Sequence, residues 1–374
     1  MKTIRIVAAD DSAAMRSLLT HMFAAQPLDA PMRMELCVAA PDGVSCLHAV
    51  RTLHPDVVLM DLHMPGLGGM EAIVRLRQEW PRLPIIVCSA STEDGAAAAL
   101  EALGHGASDY VTKPASQINA EAAMAFLWTQ LAPRIVALAF PLAGRVSSHE
   151  SHAAFFVKTR QQVDVIGIGV STGGPVALER LLSALPEEFP VPVLVVQHMP
   201  KLFTSALAAR LDRCCALRVK EATAGAKLHP GIVWIAPGDR HMEVRIDTHG
   251  IQRIALHQGE PRHHCRPAVD VLFRSMAQAY GTGALGLVLT GMGADGLEGS
   301  RAIDAAGGIV LAQDEASSAV WGMPGRVVAA ALTDAVLPLD RLGEALIALT
   351  AFSGIRAAAA RAEALWQEVH CGVH

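Results

Sequence analysis

Aromatic residues make up only 4% of this 374-residue chain, so its cores must be built from Ala, Val, Leu and Ile. The sequence has no Cys-x-x-Cys, and its seven cysteines are odd in number, which removes a disulfide framework and the usual zinc spacings. They read as reduced thiols in a cytoplasmic protein. His263, His264 and Cys265 form a small cluster with metal-ligand chemistry, but three adjacent residues lack the spacing of a zinc site. No run of about 18 uncharged apolar residues occurs, which argues against membrane insertion. The N-terminus turns acidic after too few apolar positions for a signal peptide. Basic excess is missing too: a formal net charge of −5 supplies no long-range attraction to nucleic acid.

What remains is abundant apolar material. A hydrophobic fraction of 52% against 18% charged residues supports sizeable cores, and the length suits two or three domains. Residues 3 to 9 form an apolar strand ending in Asp10-Asp11-Ser12, followed by helical spacing over 13 to 25. Strand-like runs at 34 to 39, 57 to 60, 85 to 88 and 109 to 112 alternate with helical ones, which predicts a doubly wound parallel sheet. Such sheets place function at the carboxyl ends of their strands, and here those ends carry Asp10-Asp11, Asp61, Ser89 and Lys113.

Taken singly these residues are ordinary: Asp-Asp after a strand usually caps a helix, and Lys-Pro usually marks a solvated turn. As an ordered set on successive strand ends they are far more specific. Carboxylates converging on one crevice repel unless a cation lies among them, and Mg²⁺ suits few carboxylates and an incoming phosphoryl group. Residues 1–132 resemble a receiver domain of two-component response regulators, a flavodoxin-like fold, through Val-Leu-Met-Asp61-Leu-His-Met-Pro65-Gly. The resemblance implies that Asp61 accepts phosphate from a sensor histidine kinase, with Mg²⁺ held by Asp10, Asp11, Asp61 and the backbone carbonyl of His63. Ser89 and Lys113 match the family's hydroxyl and lysine positions, and Tyr110 its aromatic switch position.

Residues 133–160 mix Pro, Gly, Ser and His with short apolar pieces and read as an interdomain linker. A second α/β domain over 161–350 begins at Val165-Ile166-Gly167-Ile168-Gly169-Val170-Ser171-Thr172-Gly173-Gly174-Pro175, an apolar run that stops at small residues before a helical pattern. Gly169, Ser171 and Gly173 satisfy Gly-x-Ser-x-Gly, a pattern of sharp strand-to-helix turns that expose a nucleophilic serine. A turn whose serine merely caps the helix, or a phosphate cradle, satisfies the same residues. A serine nucleophile needs a base and a carboxylate to orient that base. His198 closes the next strand-like run, with His241 and His257 as competitors. Asp295, in Thr-Gly-Met-Gly-Ala-Asp-Gly, is the strongest acid, with Asp239 and Asp270 as rivals. The order Ser, His, Asp departs from that of α/β-hydrolases.

This order, with Val-Gln-His198-Met-Pro, Ala-Pro-Gly-Asp239-Arg-His241, Arg266-Pro-Ala-Val-Asp270-Val-Leu-Phe273 and Leu-Thr-Gly-Met292-Gly-Ala-Asp295-Gly, resembles the catalytic domain of chemotaxis protein-glutamate methylesterases. The resemblance implies that Ser171 attacks glutamyl methyl esters on cytoplasmic helices of methyl-accepting chemoreceptors, releasing methanol, and that selected glutamines are deamidated. His198 is then general base and acid, Asp295 its orienter, and the backbone amides of Met292 and Thr172 the oxyanion donors. Arg266 is expected to contact an acidic neighbour on the receptor helix. The esterase chemistry needs no cofactor, and the chain is expected to act as a monomer. In this family the unphosphorylated receiver covers the esterase site, which makes phosphorylation activating.

A transcription-factor output would require a basic helix-turn-helix, and none is found. A dinucleotide site is disfavoured because the glycines miss Gly-x-Gly-x-x-Gly and Gln197-His198 stands where an acidic residue would be needed. Residues 351–374 continue as an Ala- and Arg-rich amphipathic helical extension, expected to pack on the catalytic domain.

Overall fold

In the computed structural model, residues 3–27, 30, 32–114, 118–140 and 162–351 are described. The chain divides into two compact units, Met1–Arg145 and Val146–His374.

The first unit alternates β1 (Thr3–Ala9), α1 (Ala13–Ala24), β2 (Arg33–Ala40), α2 (Gly43–Leu53), β3 (Val57–Asp61), α3 (Gly69–Glu79), β4 (Ile85–Ser89), α4 (Glu93–Gly104), β5 (Asp109–Thr112) and α5 (Ala120–Ala139). The strands form one parallel sheet in the order β2-β1-β3-β4-β5. β3 and β4 are buried at every position, as expected of strands covered on both faces, and this is why they read as continuous apolar runs. Helices start where a short polar side chain satisfies an orphan amide: Ser12 accepts from Met15 N at 3.3 Å, Asp42 from Ser45 N at 2.7 Å and Asn119 from Ala122 N at 2.8 Å.

The last receiver helix corrects one expected boundary. A linker beginning at Pro133 does not hold, because α5 runs through that proline to Ala139. Leu127, Leu131, Ile135 and Leu138 are buried along one face, and this stripe carries the helix past a residue that removes one internal hydrogen bond. The rest of that linker, and the C-terminal extension beyond Ala351, lie outside the described residues. By length and composition α5 is also apolar enough to cross a membrane, yet it packs on α1, β3 and β5 as the closing helix of the receiver.

The second unit contains β6 (Val165–Val170), α6 (Gly174–Ser183), β7 (Val193–Gln197), α7 (Lys201–Cys214), β8 (Arg218–Glu221), β9 (Ile232–Ile235), the hairpin β10 (His241–Ile246) and β11 (Gln252–His257), α8 (Val269–Tyr280), β12 (Ala284–Val288), α9 (Leu297–Ala305), β13 (Ile309–Gln313), α10 (Met323–Ala329) and β14 (Ala335–Leu337). A helix over 339–351 follows. Seven parallel strands take the order β14-β13-β12-β6-β7-β9-β8, while β10 and β11 pair antiparallel as a separate ribbon. Both units are therefore α/β with parallel sheets. Chain progression reverses direction between β6 and β12, the switch point at which such sheets open a crevice.

Two strand glycines show how closely α8 lies on β6. A Cβ at Gly169 would collide with Val269, and one at Gly167 would come 2.8 Å from the Met276 methyl carbon. Helix and strand meet backbone to side chain, so no larger residue fits at either position.

Candidate functional sites

In the receiver, β1 and β3 are neighbours, and their ends bring Asp10 and Asp61 together. Carboxylate oxygens of Asp10, Asp11 and Asp61 all lie within 4.8 Å of one another. Lys113 reaches between two of them from the end of β5, with Nζ 2.8 Å from both Asp10 Oδ2 and Asp61 Oδ2. Burial raises the pKa of Asp10, and the Asp61 charge adds to this while Lys113 opposes it. Lys113 is raised, since its two carboxylate partners outweigh the cost of burying the ammonium. A set of crowded hard oxygens with one cationic neighbour fits a small divalent cation. The His63 amide lies 3.5 Å from Asp61 Oδ1, so the segment that would offer its carbonyl curls over Asp61.

Ser89 and Tyr110 take buried, inward positions. The Ser89 hydroxyl donates to Gly95 O at 2.6 Å, tying the end of β4 to the first turn of α4. Tyr110 is 7% exposed, and burial raises its pKa.

In the second unit the triad candidates meet at the switch point. Val170 pairs with Gln197 across β6 and β7, and the His198 amide donates to Val170 O at 3.2 Å. Ser171 and His198 thus leave adjacent parallel strands side by side, at the spacing of about 4.8 Å that neighbouring strands impose. Gly291, just after β12, lies against the serine: a Cβ there would stand 2.8 Å from Ser171 Cβ. Only glycine permits that approach, and it brings the Met292–Asp295 loop to Ser171.

His198 Nε2 lies 2.8 Å from Asp295 Oδ2. Asp295 is 2% exposed, and every remaining contact of its carboxylate is a backbone amide: Val269 N at 2.7 Å, Asp270 N at 3.0 Å and Gly296 N at 3.0 Å. Ala268, the N-cap residue of α8, provides no side-chain cap, so Asp295 caps α8 from a distant loop. Burial favours protonation of Asp295, but His198 and these amides overcome it and hold the pKa below the ordinary value. Burial likewise opposes a charge on His198. The hydrogen bond to Asp295 and the influence of neighbouring Cys265 prevail and raise its pKa.

The serine turn differs from a strained elbow. Ser171 does not adopt positive φ; Gly173, the N-cap of α6, takes the left-handed conformation at φ +76° instead. The Ser171 hydroxyl makes no hydrogen bond among the described residues. The same holds for the backbone amides of Thr172 and Met292, leaving both as unused donors near Ser171.

The competitors are accounted for by their partners. His241 is buried with both ring nitrogens occupied, Nδ1 accepting from Ala268 N at 3.2 Å and Nε2 donating to Glu260 O at 3.0 Å; burial lowers its pKa. His257 Nδ1 accepts from Gly259 N at 3.1 Å. Asp239 is exposed and pairs with Arg266, whose Nε lies 3.0 Å from its Oδ1. Arg266 also donates to Gly259 O at 3.0 Å, so this arginine braces two loops. Asp270 is buried beside Asp295, accepts from Gly296 N and Gly299 N, and meets His263 Nε2 at 3.1 Å.

Gln197 and Thr290 were not expected at the site. Gln197 Nε2 donates to Ser171 O at 2.9 Å, and Thr290 Oγ1 donates to Thr172 O at 3.0 Å, so two buried side chains clamp the backbone on either side of the hydroxyl. Their signal in the sequence is a polar residue ending an otherwise apolar strand, next to a residue of more obvious chemistry.

A unit with the receiver architecture, joined to one that sets a serine, a histidine–aspartate pair and free amides at its switch point, has the make-up of a hydrolase that carries a receiver. Residues 166–346 match the family described as CheB methylesterase, and residues 6–125 the response regulator receiver domain. A protein-glutamate methylesterase/protein-glutamine glutaminase of Trichodesmium erythraeum is 41% identical, covering 93% of this chain and 99% of its own length. Another, of a Nocardioides species, is 44% identical, covering 93% of this chain and 95% of its own. The crystal structure of the Thermotoga maritima CheB methylesterase catalytic domain is 40% identical, covers 50% of this chain and 99% of its own, and aligns with a TM-score of 0.49. The chain belongs to the protein-glutamate methylesterase/protein-glutamine glutaminase family of carboxylic ester hydrolases.

Proposed function

We propose that this chain removes methyl esters from glutamate side chains on cytoplasmic helices of chemoreceptors, releasing methanol, and deamidates selected glutamines there. The observation that carries this reading is the 2.8 Å contact of His198 with buried Asp295, set beside Ser171 at the switch point. Ser171 Oγ attacks the ester carbonyl as His198 takes its proton. Nε2 of His198 is committed to Asp295, so Nδ1 is the nitrogen left for this transfer. The amides of Thr172 and Met292 stabilise the oxyanion. His198 then protonates the leaving methoxide, and water, activated by the same imidazole, hydrolyses the acyl-enzyme.

The receiver is the control. A sensor histidine kinase transfers a phosphoryl group to Asp61, and this raises esterase turnover. Mg²⁺ held by Asp10, Asp11, Asp61 and the His63 carbonyl would neutralise carboxylate charge and draw in the phosphoryl oxygens. Lys113 stands ready to pair with the new phosphate, and Ser89 and Tyr110 transmit its presence by changing their inward positions.

The test is methanol release from a radiomethylated receptor fragment, with and without a small phosphodonor. Release that rises with the phosphodonor and disappears in Ser171→Ala supports the proposal. No release by the wild-type chain, or persistent release by the variant, overturns it.

A further inference from the structure

A cleft of about 480 Å³ lies between the β10–β11 hairpin and α8, outside the triad. Its walls carry Arg245, Arg262 and Arg274 against Glu243 and Glu260, with His257 at one side. Part of this charge is already matched: Arg245 pairs with Glu243 at 2.9 Å, and His257 lies 3.4 Å from the same carboxylate. The guanidinium groups of Arg262 and Arg274 have no hydrogen-bond or ion-pair partner among the described residues. Two such guanidinium groups line one cavity, where Glu243 is already paired with Arg245, and they form a receptor for an anion. Guanidinium prefers the planar, two-oxygen geometry of a carboxylate.

The cleft is close to the chemistry. Asp270 lies in the first turn of α8, where its amide donates to Asp295 at 3.0 Å, and Arg274 follows four residues later on the same helix. Four residues of helix advance about 6 Å. The Arg274 charge accordingly acts on Asp270 and lowers its pKa against the effect of burial, which dominates and raises it. A helical substrate presents side chains on one face at three-, four- and seven-residue intervals, about 5 to 10 Å apart. A substrate helix with its glutamyl ester at Ser171 would carry its neighbouring side chains past the triad at that spacing.

We infer that this cleft binds a carboxylate side chain of the protein substrate, one or two helical turns from the ester, through Arg262 and Arg274. The inference rests on the proposed protein-ester substrate. It adds a selection rule: esters flanked by an acidic residue at that spacing are preferred.

Kinetics of the full chain on the radiomethylated receptor fragment, with p-nitrophenyl acetate as a second ester, test this. In Arg262→Ala/Arg274→Ala, KM for the fragment should rise about tenfold with kcat within about twofold, as two partly exposed ion pairs would allow. The ratio of fragment turnover to nitrophenyl ester turnover should fall by a similar factor, which also shows that the variant is folded. Arg274→Glu should recover on a fragment whose acidic residues one and two turns from the ester are changed to lysine. A double variant with the KM of wild type, or a charge reversal without recovery, overturns the inference and leaves the esterase reading intact. A wild-type chain that hydrolyses the nitrophenyl ester but not the fragment overturns the substrate reading, and the inference with it.

Discussion

The two units solve one topological problem with opposite electrostatics. Each is a parallel sheet that gathers its working residues where the strand order reverses, β1 beside β3 in the receiver and β6 beside β12 in the esterase. In the receiver the crevice is crowded with like charge, three carboxylates and one bridging lysine, an arrangement suited to an added cation. In the esterase two carboxylates are buried side by side, but each is matched in place, Asp295 by amides and the His198 imidazole and Asp270 by amides and His263. The difference separates a switch from a catalyst. A switch keeps unresolved charge for a ligand to resolve, whereas a catalyst arranges its charge in advance.

This contrast can be broken from either side. The largest effect is expected from Ser171→Ala, which should lower methanol release by about 10⁵-fold or more while Asp61 still takes up phosphate, measured by parallel methanol and phosphoprotein assays. Equal loss of both readouts would mean that the units do not divide the work as described. Asp295→Asn should lower kcat by about 10³- to 10⁴-fold. It should also move the acid limb of the pH–rate profile. His198 must be neutral to accept the serine proton, and its pKa is raised through its Asp295 hydrogen bond, so the wild-type limb lies above the ordinary imidazole value and shifts to lower pH when the carboxylate is removed.

On the receiver side, Asp61→Asn should remove stimulation of esterase turnover by a phosphodonor, read by the same methanol assay. Lys113→Ala leaves Asp10 and Asp61 buried and unneutralised, and should destabilise the receiver by about 3 kcal/mol at neutral pH in denaturant unfolding. The sign with pH follows from Asp10, whose folded pKa is raised by burial. Its favourable contribution is complete below its unfolded pKa and disappears as pH rises through the folded value. Removing Lys113 raises that value further, so the variant's deficit should shrink in acid. The smallest effect is local: Gly173→Ala forces a side chain into φ +76° beside Ala319, at a cost of about 1 to 2 kcal/mol in the same measurement.

How much of this could be read beforehand varied with the kind of residue. Asp10, Asp61, Lys113, Ser171 and His198 stand at the ends of apolar runs, where period and polarity change together, and their convergence follows from parallel topology alone. Asp295 was visible through the glycines around it, one of which, Gly291, is demanded by Ser171 itself. The acid's true support was not visible, because amides of Val269 and Asp270 carry no side-chain signature. Nor could the ring of His241 be told from that of His198 until its two nitrogens were seen bonded to Ala268 N and Glu260 O. Arg266, expected to contact a substrate, also pairs with Asp239, a loop contact 27 residues away that its sequence neighbours do not signal. The hairpin β10–β11 escaped the alternating pattern altogether, since one ribbon outside a parallel sheet leaves no periodic trace beyond its own length. Pro133 misled for a local reason, its helix-breaking tendency being outweighed by the buried stripe around it.

The capping of α8 by Asp295 has a practical consequence. The amide protons of Val269 and Asp270 are bonded to the same carboxylate that holds the His198 imidazole. Their exchange with deuterated solvent therefore depends on whether that carboxylate is charged and in place, an event that absorbance and product assays do not see. Two backbone positions at the start of one helix thus report on the state of the Asp295 carboxylate, observable in the intact chain without substrate.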